Sequence, residues 1–600
     1  MKKHFLLILI FVFFKGIALP QASVVPCQEI PDSFKPYVMP DVDGKVLIDR
    51  SVLQSHPPLN YRADTIYPYP GWPLRIAGTS QRGGIACNID TDDDLEVIYN
   101  IGNKVYALNH DGTDVPGWPK TVASTPAEGA PAFGDIDGDG IGDIVVTTRT
   151  PGTANDGKIY AFNLDGSNKP GFPVTCTGGP VRTPVLADLD GDEIMEIIIE
   201  EREYPTGFVN VYKGDGTIMP GWPQEMDYIP ASAVAVGDIT GDDIPEIVAE
   251  SYYSVFAYDI NGNLLEGFPF APGTNRVFSY SSPVLADING DGLREIIVGD
   301  HSLSSGNGQV HVLDNTGQQI PGFPCTVSNW IYAPVAVANF DGLGGLDILV
   351  GDQVLSGVPS DKLYAWSSDG TPLAGFPVPS LNAINSQTII ADIDGDFMYE
   401  AIIDDNTTAG IYRAFNHDGT ELTTGGWPLP VIGSTFFMNP LITDLNFDGK
   451  MDFVGGSNEI TTTFTNLYEW NFDIAYAPYS IVLPVLQYNI QHTGVYGHID
   501  TLYVGISDPE RWATKTAGIR IYPNLIKSSG QMMIVSEENP ITGVEIFDQS
   551  GRRIYTENEH PGKKMLQFSI EASLFKPGLY IARITSVDKI IVTGRFLIVN

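Results

Sequence analysis

From about residue 64 to about residue 496 the chain alternates short apolar runs with clusters of Asp, Asn, Gly and Pro. The runs are brief and rich in Val, Ile and Tyr. Ile144-Val145-Val146 follows one acidic cluster, and Val105-Tyr106-Ala107-Leu108 precedes an Asp-Gly pair, as do Ile159-Tyr160-Ala161-Phe162 and Leu363-Tyr364-Ala365-Trp366. Runs of this length and composition, bounded by turn residues, predict strands and not long helices. The Asp-Gly pairs suit tight hairpins because they accept positive φ.

The pattern repeats. An acidic nine-residue frame starts at Asn88, Asp135, Asp188, Asp238, Asp287, Asn339, Asp392 and Asp444, at spacings of 47 to 53 residues. A Gly-Trp-Pro or Gly-Phe-Pro triplet runs in phase, beginning at Gly71, Gly117, Gly171, Gly221, Gly267, Gly322, Gly375 and Gly426. Each unit reads as strand, acidic loop, strand, aromatic strand, tight turn, and a last strand around the Gly-aromatic-Pro. Four strands in about fifty residues is the size of one propeller blade. The predicted fold is therefore all-β: about eight blades in a closed ring, which removes exposed sheet edges. Seven blades plus one irregular unit is the other count the spacing allows. Ring closure needs a strand from one terminus, supplied either near Gly71-Trp72-Pro73 or from Leu483 to Tyr496.

Charge sharpens this picture. The chain has 73 acidic and 34 basic residues, a net charge of −39. That balance opposes nucleic acid and anionic membrane surfaces as partners. Thirty of the acids fall inside the eight nine-residue frames. Carboxylates about 4 Å apart repel by about 4 kcal/mol at a surface-like dielectric, so their convergence calls for a cation. Positions 1, 3, 5 and 9 of each frame are candidate oxygen ligands, with a backbone carbonyl from position 7, by the logic of a calcium loop. Asp135, Asp137, Asp139 and Asp143 make a full acidic set, as do Asp188, Asp190, Asp192 and Glu196, and Asp392, Asp394, Asp396 and Glu400. Neutral oxygens enter elsewhere: Asn88 with Asp90, Asp92 and Glu96; Thr240 with Asp238, Asp242 and Glu246; Asn289 with Asp287, Asp291 and Glu295; Asn446 with Asp444, Asp448 and Asp452. The sixth frame has Leu343 at position 5 beside Asn339, Asp341 and Asp347, and is expected to bind metal weakly or not at all. Several structural Ca2+ ions are expected, since many flexible oxygens favour calcium over magnesium.

The Ala-Asp-Ile-Asp-Gly-Asp-type loops followed by Glu-Ile-Ile resemble FG-GAP (VCBS-type) repeats, as in the β-propeller of integrin α subunits. The resemblance covers about residues 64–496. It implies calcium held in the hairpin between the first two strands of a blade, with positions 1, 3, 5 and 9 as ligands. It also implies adhesion or ligand binding, although such repeats occur in some calcium-containing polysaccharide lyases.

The flanking segments add an address. Residues 1–22 combine Lys2 and Lys3 with an apolar run from Phe5 to Phe14 and small residues at Ala18 and Ala22, a secretory signal peptide. Pro26 before Cys27 argues against a lipoprotein box. Residues 23–63 form an N-terminal extension, and no other stretch is apolar enough to span a bilayer. The four cysteines, Cys27, Cys87, Cys176 and Cys325, leave a disulfide and buried thiols equally open. After a linker at 497–517, residues 518–600 predict a small β-sandwich. Its ordered motifs, Tyr522-Pro523-Asn524, Gly551-Arg552, Lys576-Pro577-Gly578-Leu579-Tyr580 and a closing Arg595-Phe596 strand, resemble the C-terminal sorting domain of the type IX secretion system. That resemblance implies contact with the secretion machinery and a secreted or outer-membrane surface location.

Nucleophile, zinc-protease and P-loop signatures are missing from the sequence, and the nine His do not cluster. Trp72, Trp118, Trp222 and Trp427 recur with the blade and are expected in the core first. His492 is expected to make a structural hydrogen bond. The expected function is a non-enzymatic, calcium-stabilised scaffold for an extracellular protein or glycan. The alternative is a lyase-like polysaccharide-degrading enzyme, for which the loops offer only Arg294 and Lys450 as cationic side chains.

Overall fold

In the computed structural model the described residues are 66–497 apart from short loops, the strands of the tail between 519 and 599, and three short strands, Ser23–Val25, Met39–Pro40 and Val46–Ile48. The signal peptide and most of the expected linker lie outside the described residues. The chain divides into two compact units, Met1–Ile506 and Ser507–Asn600.

The first unit is an eight-bladed propeller. Blade 2 shows the pattern: Ala132–Gly134, Asp143–Thr148, Lys158–Phe162 and Val174–Thr175 pair in order as antiparallel neighbours. Its second strand is buried along its whole length, as is Glu96–Ile101 in blade 1. A strand covered on both faces by neighbouring blades reads as a continuous apolar run, which is how these segments appear in the sequence. Blade 4 has three strands, Ala235–Gly237, Glu246–Glu250 and Val255–Tyr258, and a bridge from Val255 to Phe270 stands where the fourth would be.

The ring is closed by the first of the two segments that the sequence offered. Leu74–Ala77 becomes the outer strand of blade 8, antiparallel to Phe464–Leu467. Arg75 reinforces the seam with a two-pronged bond to Glu459 at 2.5 and 2.9 Å. The second segment has a different task. Ile481–Leu483 pairs with the inner strand of blade 7, and the residues that follow fill the propeller axis. Carbonyls of Pro484, Ile490, Gln491, Thr493 and Gly494 accept the N–H groups of Ile442, Phe133, Leu186, Val236 and Leu285, at 2.8 to 3.0 Å. Those donors lie in the innermost strands of blades 8, 2, 3, 4 and 5. The Tyr488 hydroxyl takes the Val337 N–H in blade 6, and Gln387 of blade 7 accepts the Gln487 N–H. His492, fully buried, has its ring nitrogens 2.9 Å from the Leu486 carbonyl and 2.8 Å from the Pro131 carbonyl, the structural role expected of it.

The Gly-aromatic-Pro triplets join blade to blade. The indole N–H groups of Trp72, Trp118 and Trp222 donate to His110, Leu164 and Ile260, each in the following blade. All four repeat tryptophans are buried, as expected for core residues. Gly375 sits at φ +86°, and a Cβ there would overlap the carbonyl of Asp418 in the next blade's turn. Gly171 stands in the same relation to Asp215. Only glycine allows this approach of two backbones. Cys87, Cys176 and Cys325 are buried thiols.

In the second unit, Ile519–Tyr522, Gln531–Ser536 and Met565–Ser569 form one sheet. Leu525–Lys527, Ile591–Val599, Gly578–Ser586, Ile541–Asp548 and Arg553–Lys563 form the other. Ile541, Val544, Ile546, Ala582 and Ile584 are buried, giving the small sandwich that the alternation predicts.

Replacing Gly375 by Ala should lower Tm by several degrees more than Gly273→Ala. Gly273 also has positive φ (+115°) but nothing within 4 Å of an added methyl, so it reports the conformational cost alone, about 1–3 kcal/mol. Equal shifts in thermal melts of the two variants would remove the inter-blade contact as the reason for the triplet.

Candidate metal centres and the opposite face

Every acidic frame lies in the hairpin between the first and second strands of its blade, so all eight share one face of the ring. Position 9 opens the second strand in seven blades, and is its third residue in blade 8, and it turns one oxygen back to the N–H of position 2. Glu96 accepts from Ile89 (2.7 Å), Glu196 from Leu189 (3.0 Å), Glu246 from Ile239 (2.9 Å), Glu295 from Ile288 (2.7 Å), Glu400 from Ile393 (2.9 Å) and Asp452 from Leu445 (2.7 Å). The sixth frame keeps this bond, Phe340 to Asp347 at 2.8 Å, while Leu343 is 87% exposed. The acid at position 9 thus has a backbone task in addition to any ligand role. Position 1 accepts from positions 4 and 6: Gly138 and Gly140 donate to Asp135 at 2.7 and 2.8 Å, and Gly290 and Gly292 to Asp287 at 2.7 and 3.0 Å.

Four frames bring three carboxylates together with ligand oxygens within 4.8 Å: Asp90, Asp92 and Glu96; Asp135, Asp137 and Asp143; Asp188, Asp190 and Glu196; Asp392, Asp394 and Glu400. Asp139, Asp192 and Asp396, at position 5, stand outside these groups. Among the described residues, the acids of the fourth, fifth and eighth frames form no such group. There neutral side chains reach the inner oxygens: Thr240 to Glu246 at 3.2 Å, Asn289 to Glu295 at 2.6 Å and Asn471 to Asp452 at 2.8 Å.

Some frame oxygens are buried without a hydrogen-bond partner and could accept a cation. Glu96 Oε1 and Asn88 Oδ1 in the first frame, Glu400 Oε1 in the seventh and Asp444 Oδ1 in the eighth are of this kind. Burial, and then the surrounding aspartates, push Glu96 and Glu400 up to about 8. Burial does the same to Glu196 and Glu295, up to about 7. A bound divalent ion would reverse these shifts. In the second frame Lys169 Nζ stands 2.6 Å from Asp137, 2.9 Å from Asp143 and 3.7 Å from Asp139. His110 belongs to this face as well, with Nδ1 2.9 Å from Asp94 at position 7 of the first frame.

The other face carries a different chemistry, which the blade-by-blade reading missed. Four tyrosines from blades 3 and 4 contact one another: Tyr204 to Tyr228 at 6.2 Å, Tyr228 to Tyr253 at 4.9 Å and Tyr252 to Tyr253 at 5.3 Å between ring centroids. Tyr204 is 51% exposed. Beside them lies a cavity of about 410 Å³ lined by Asp227, Tyr253, Ser254, Asn275, Arg276 and Leu303. Asp227 accepts the hydroxyls of Ser251 and Ser254, and Arg276 is clamped by Asp300. The adjacent pair Tyr252-Tyr253 was the available sequence signal.

No curated protein matches the chain. Among solved structures it is similar to the rhamnogalacturonan lyase YesW (13% identity, 72% of this chain and 100% of that one, TM-score 0.40). It is also similar to the V. cholerae biofilm matrix protein Bap1 (14%, 89% and 84%, TM-score 0.35). A third is the quinohemoprotein alcohol dehydrogenase from Comamonas testosteroni (13%, 68% and 77%, TM-score 0.39). At these scores the likenesses say nothing about activity. Residues 520–600 match the secretion system C-terminal sorting domain, and with that tail the chain is a secreted or cell-surface protein exported by the type IX route.

Proposed function

We propose that the chain is a calcium-stabilised binding scaffold of the FG-GAP type that recognises an extracellular glycan or protein through the face opposite its acidic loops. The observation that carries this reading is the division of labour between the faces. One is occupied by carboxylate loops whose buried oxygens suit a hard cation, and the other offers a tyrosine cluster beside a cavity of mixed polar and apolar lining, to which Tyr253 belongs. Clustered tyrosine rings, packed edge-on and tilted, next to Asp, Asn and Arg groups are the chemistry that holds sugar rings, with apolar faces for C–H groups and polar edges for hydroxyls. Calcium would be held by Asn88, Asp90, Asp92 and Glu96, by the Asp188 and Asp392 sets, and more weakly where Thr240, Asn289 or Asn446 replaces an acid. Its role is to neutralise converging carboxylates and so tie the first two strands of a blade together.

Calcium should raise Tm, each site contributing about 2.7 kcal/mol at a hundredfold excess over its Kd. The increment should grow with pH. Without metal, carboxyls such as Glu96 and Glu400 have folded values raised from 4.5 to about 8, so their contribution to stability is full below about 4.5 and is lost as pH rises to about 8. Calcium binds the ionised form and offsets that loss. Melts in EGTA and in calcium from pH 5 to 8.5 check this, and a pH-independent increment, or none, contradicts it.

On a glycan array the full chain should bind, and Tyr204→Ala and Tyr253→Ala should each weaken binding at least tenfold while the calcium content stays unchanged. Binding indifferent to both variants removes this face. Release of unsaturated, ultraviolet-absorbing product from uronate polymers would replace the scaffold reading with an enzymatic one.

A further inference from the structure

One position on the acidic face differs between blades. The N–H groups of Val115, Met219, Leu265, Ile320, Leu373 and Leu422 each donate to a carbonyl of their blade's third strand, at 2.8 to 3.0 Å. Lys169 makes the same bond to Ala161 at 2.9 Å, so it is their structural equivalent. Six blades place an apolar side chain there, and blade 2 places a lysine.

The Lys169 side chain is 3% exposed. Its ammonium meets Asp137 at position 3 and Asp143 at position 9, the two oxygens that with Asp135 make up the second carboxylate group. In the first and seventh frames the inner oxygen of position 9 has no partner, whereas here Asp143 Oδ1 is 2.9 Å from the amine. A divalent ion on these oxygens would lie within a few ångströms of a buried ammonium. Removing the ammonium from them would leave a buried charge without a counterion. Two other lysines near frames are far more exposed: Lys213 lies 3.8 Å from Asp190 with its side chain 40% exposed, and Lys450 of the eighth frame pairs with Asp473 at 2.9 Å with its side chain 44% exposed.

We propose that the second acidic loop carries its cation within the chain: the Lys169 ammonium occupies the place of a divalent ion, so blade 2 takes no metal and is held without one. The ion count in its test rests on the calcium reading above, but the lysine lock itself does not.

The experiment uses the full chain, with calcium per chain measured by atomic emission after equilibration and gel filtration, and Tm in EGTA. Lys169→Met installs the residue that blade 3 has at this position, Met219. It should bind one more calcium than wild type and melt several degrees lower in EGTA, with the deficit recovered in calcium. Should that variant fail to fold, single-residue changes in the loops decide: Asp137→Asn should leave the calcium count unchanged, while Asp190→Asn, the same position in blade 3, should lose one ion. Loss of an ion in Asp137→Asn, or a Lys169→Met protein with wild-type ion count and wild-type Tm in EGTA, overturns the proposal. If the wild type binds no calcium at all, the calcium reading fails separately. The Tm of Lys169→Met in EGTA then decides alone, a fall supporting the lysine lock and an unchanged value overturning it.

Discussion

Eight sheets around one axis leave eight innermost strands whose outward N–H and C=O groups point at each other across a gap too wide to bond. Buried backbone donors left unpaired cost about as much as a lost hydrogen bond each. The segment after Leu483 resolves this by running along the axis and offering carbonyls to Phe133, Leu186, Val236, Leu285 and Ile442. The propeller therefore has a solid hub, and any ligand site must lie on a face or a rim.

The two faces follow from the blade's own topology. A four-stranded antiparallel blade places its first hairpin and its third turn on one side and its second hairpin on the other. The acidic frames and the Asp-Gly turns thus share a face, which is why Lys169, just after such a turn, reaches Asp137 and Asp143. The second hairpins vary freely and supply Tyr204, Tyr252 and Tyr253 to the opposite side.

Much of this was legible in the residues. Strand order and the hairpin position of the acidic frames follow from the two phased markers, because each marker answers to a local demand: carboxylates that accept backbone N–H groups, and a glycine where two backbones meet. The same markers left the blade count at about eight or at seven plus one irregular unit. Loop chemistry was legible less evenly. The Asp135 set reads by composition as one of the three full acidic sets, yet its electrostatics depend on a lysine 26 residues beyond Asp143 that only the pairing of Lys169 with Ala161 brings in. At position 5, Asp92 joins the carboxylate group of its frame while Asp139, Asp192 and Asp396 stand apart from theirs, since side-chain reach is not set by spacing alone. The hub was invisible because its partners are backbone amides of distant strands, which leave no trace in residue type.

The order of these parts along the chain has a consequence for biogenesis. The rim is sealed by Leu74–Ala77, near the beginning, and the centre by residues 481–496, just ahead of the export signal at the carboxyl end. A polypeptide that stops short of the last stretch possesses the four-stranded blades but no spindle, and it also lacks the address for outer-membrane passage. Completeness of the wheel and licence to leave the cell are thereby written into the same final portion of the message, so unfinished products are disqualified on both counts.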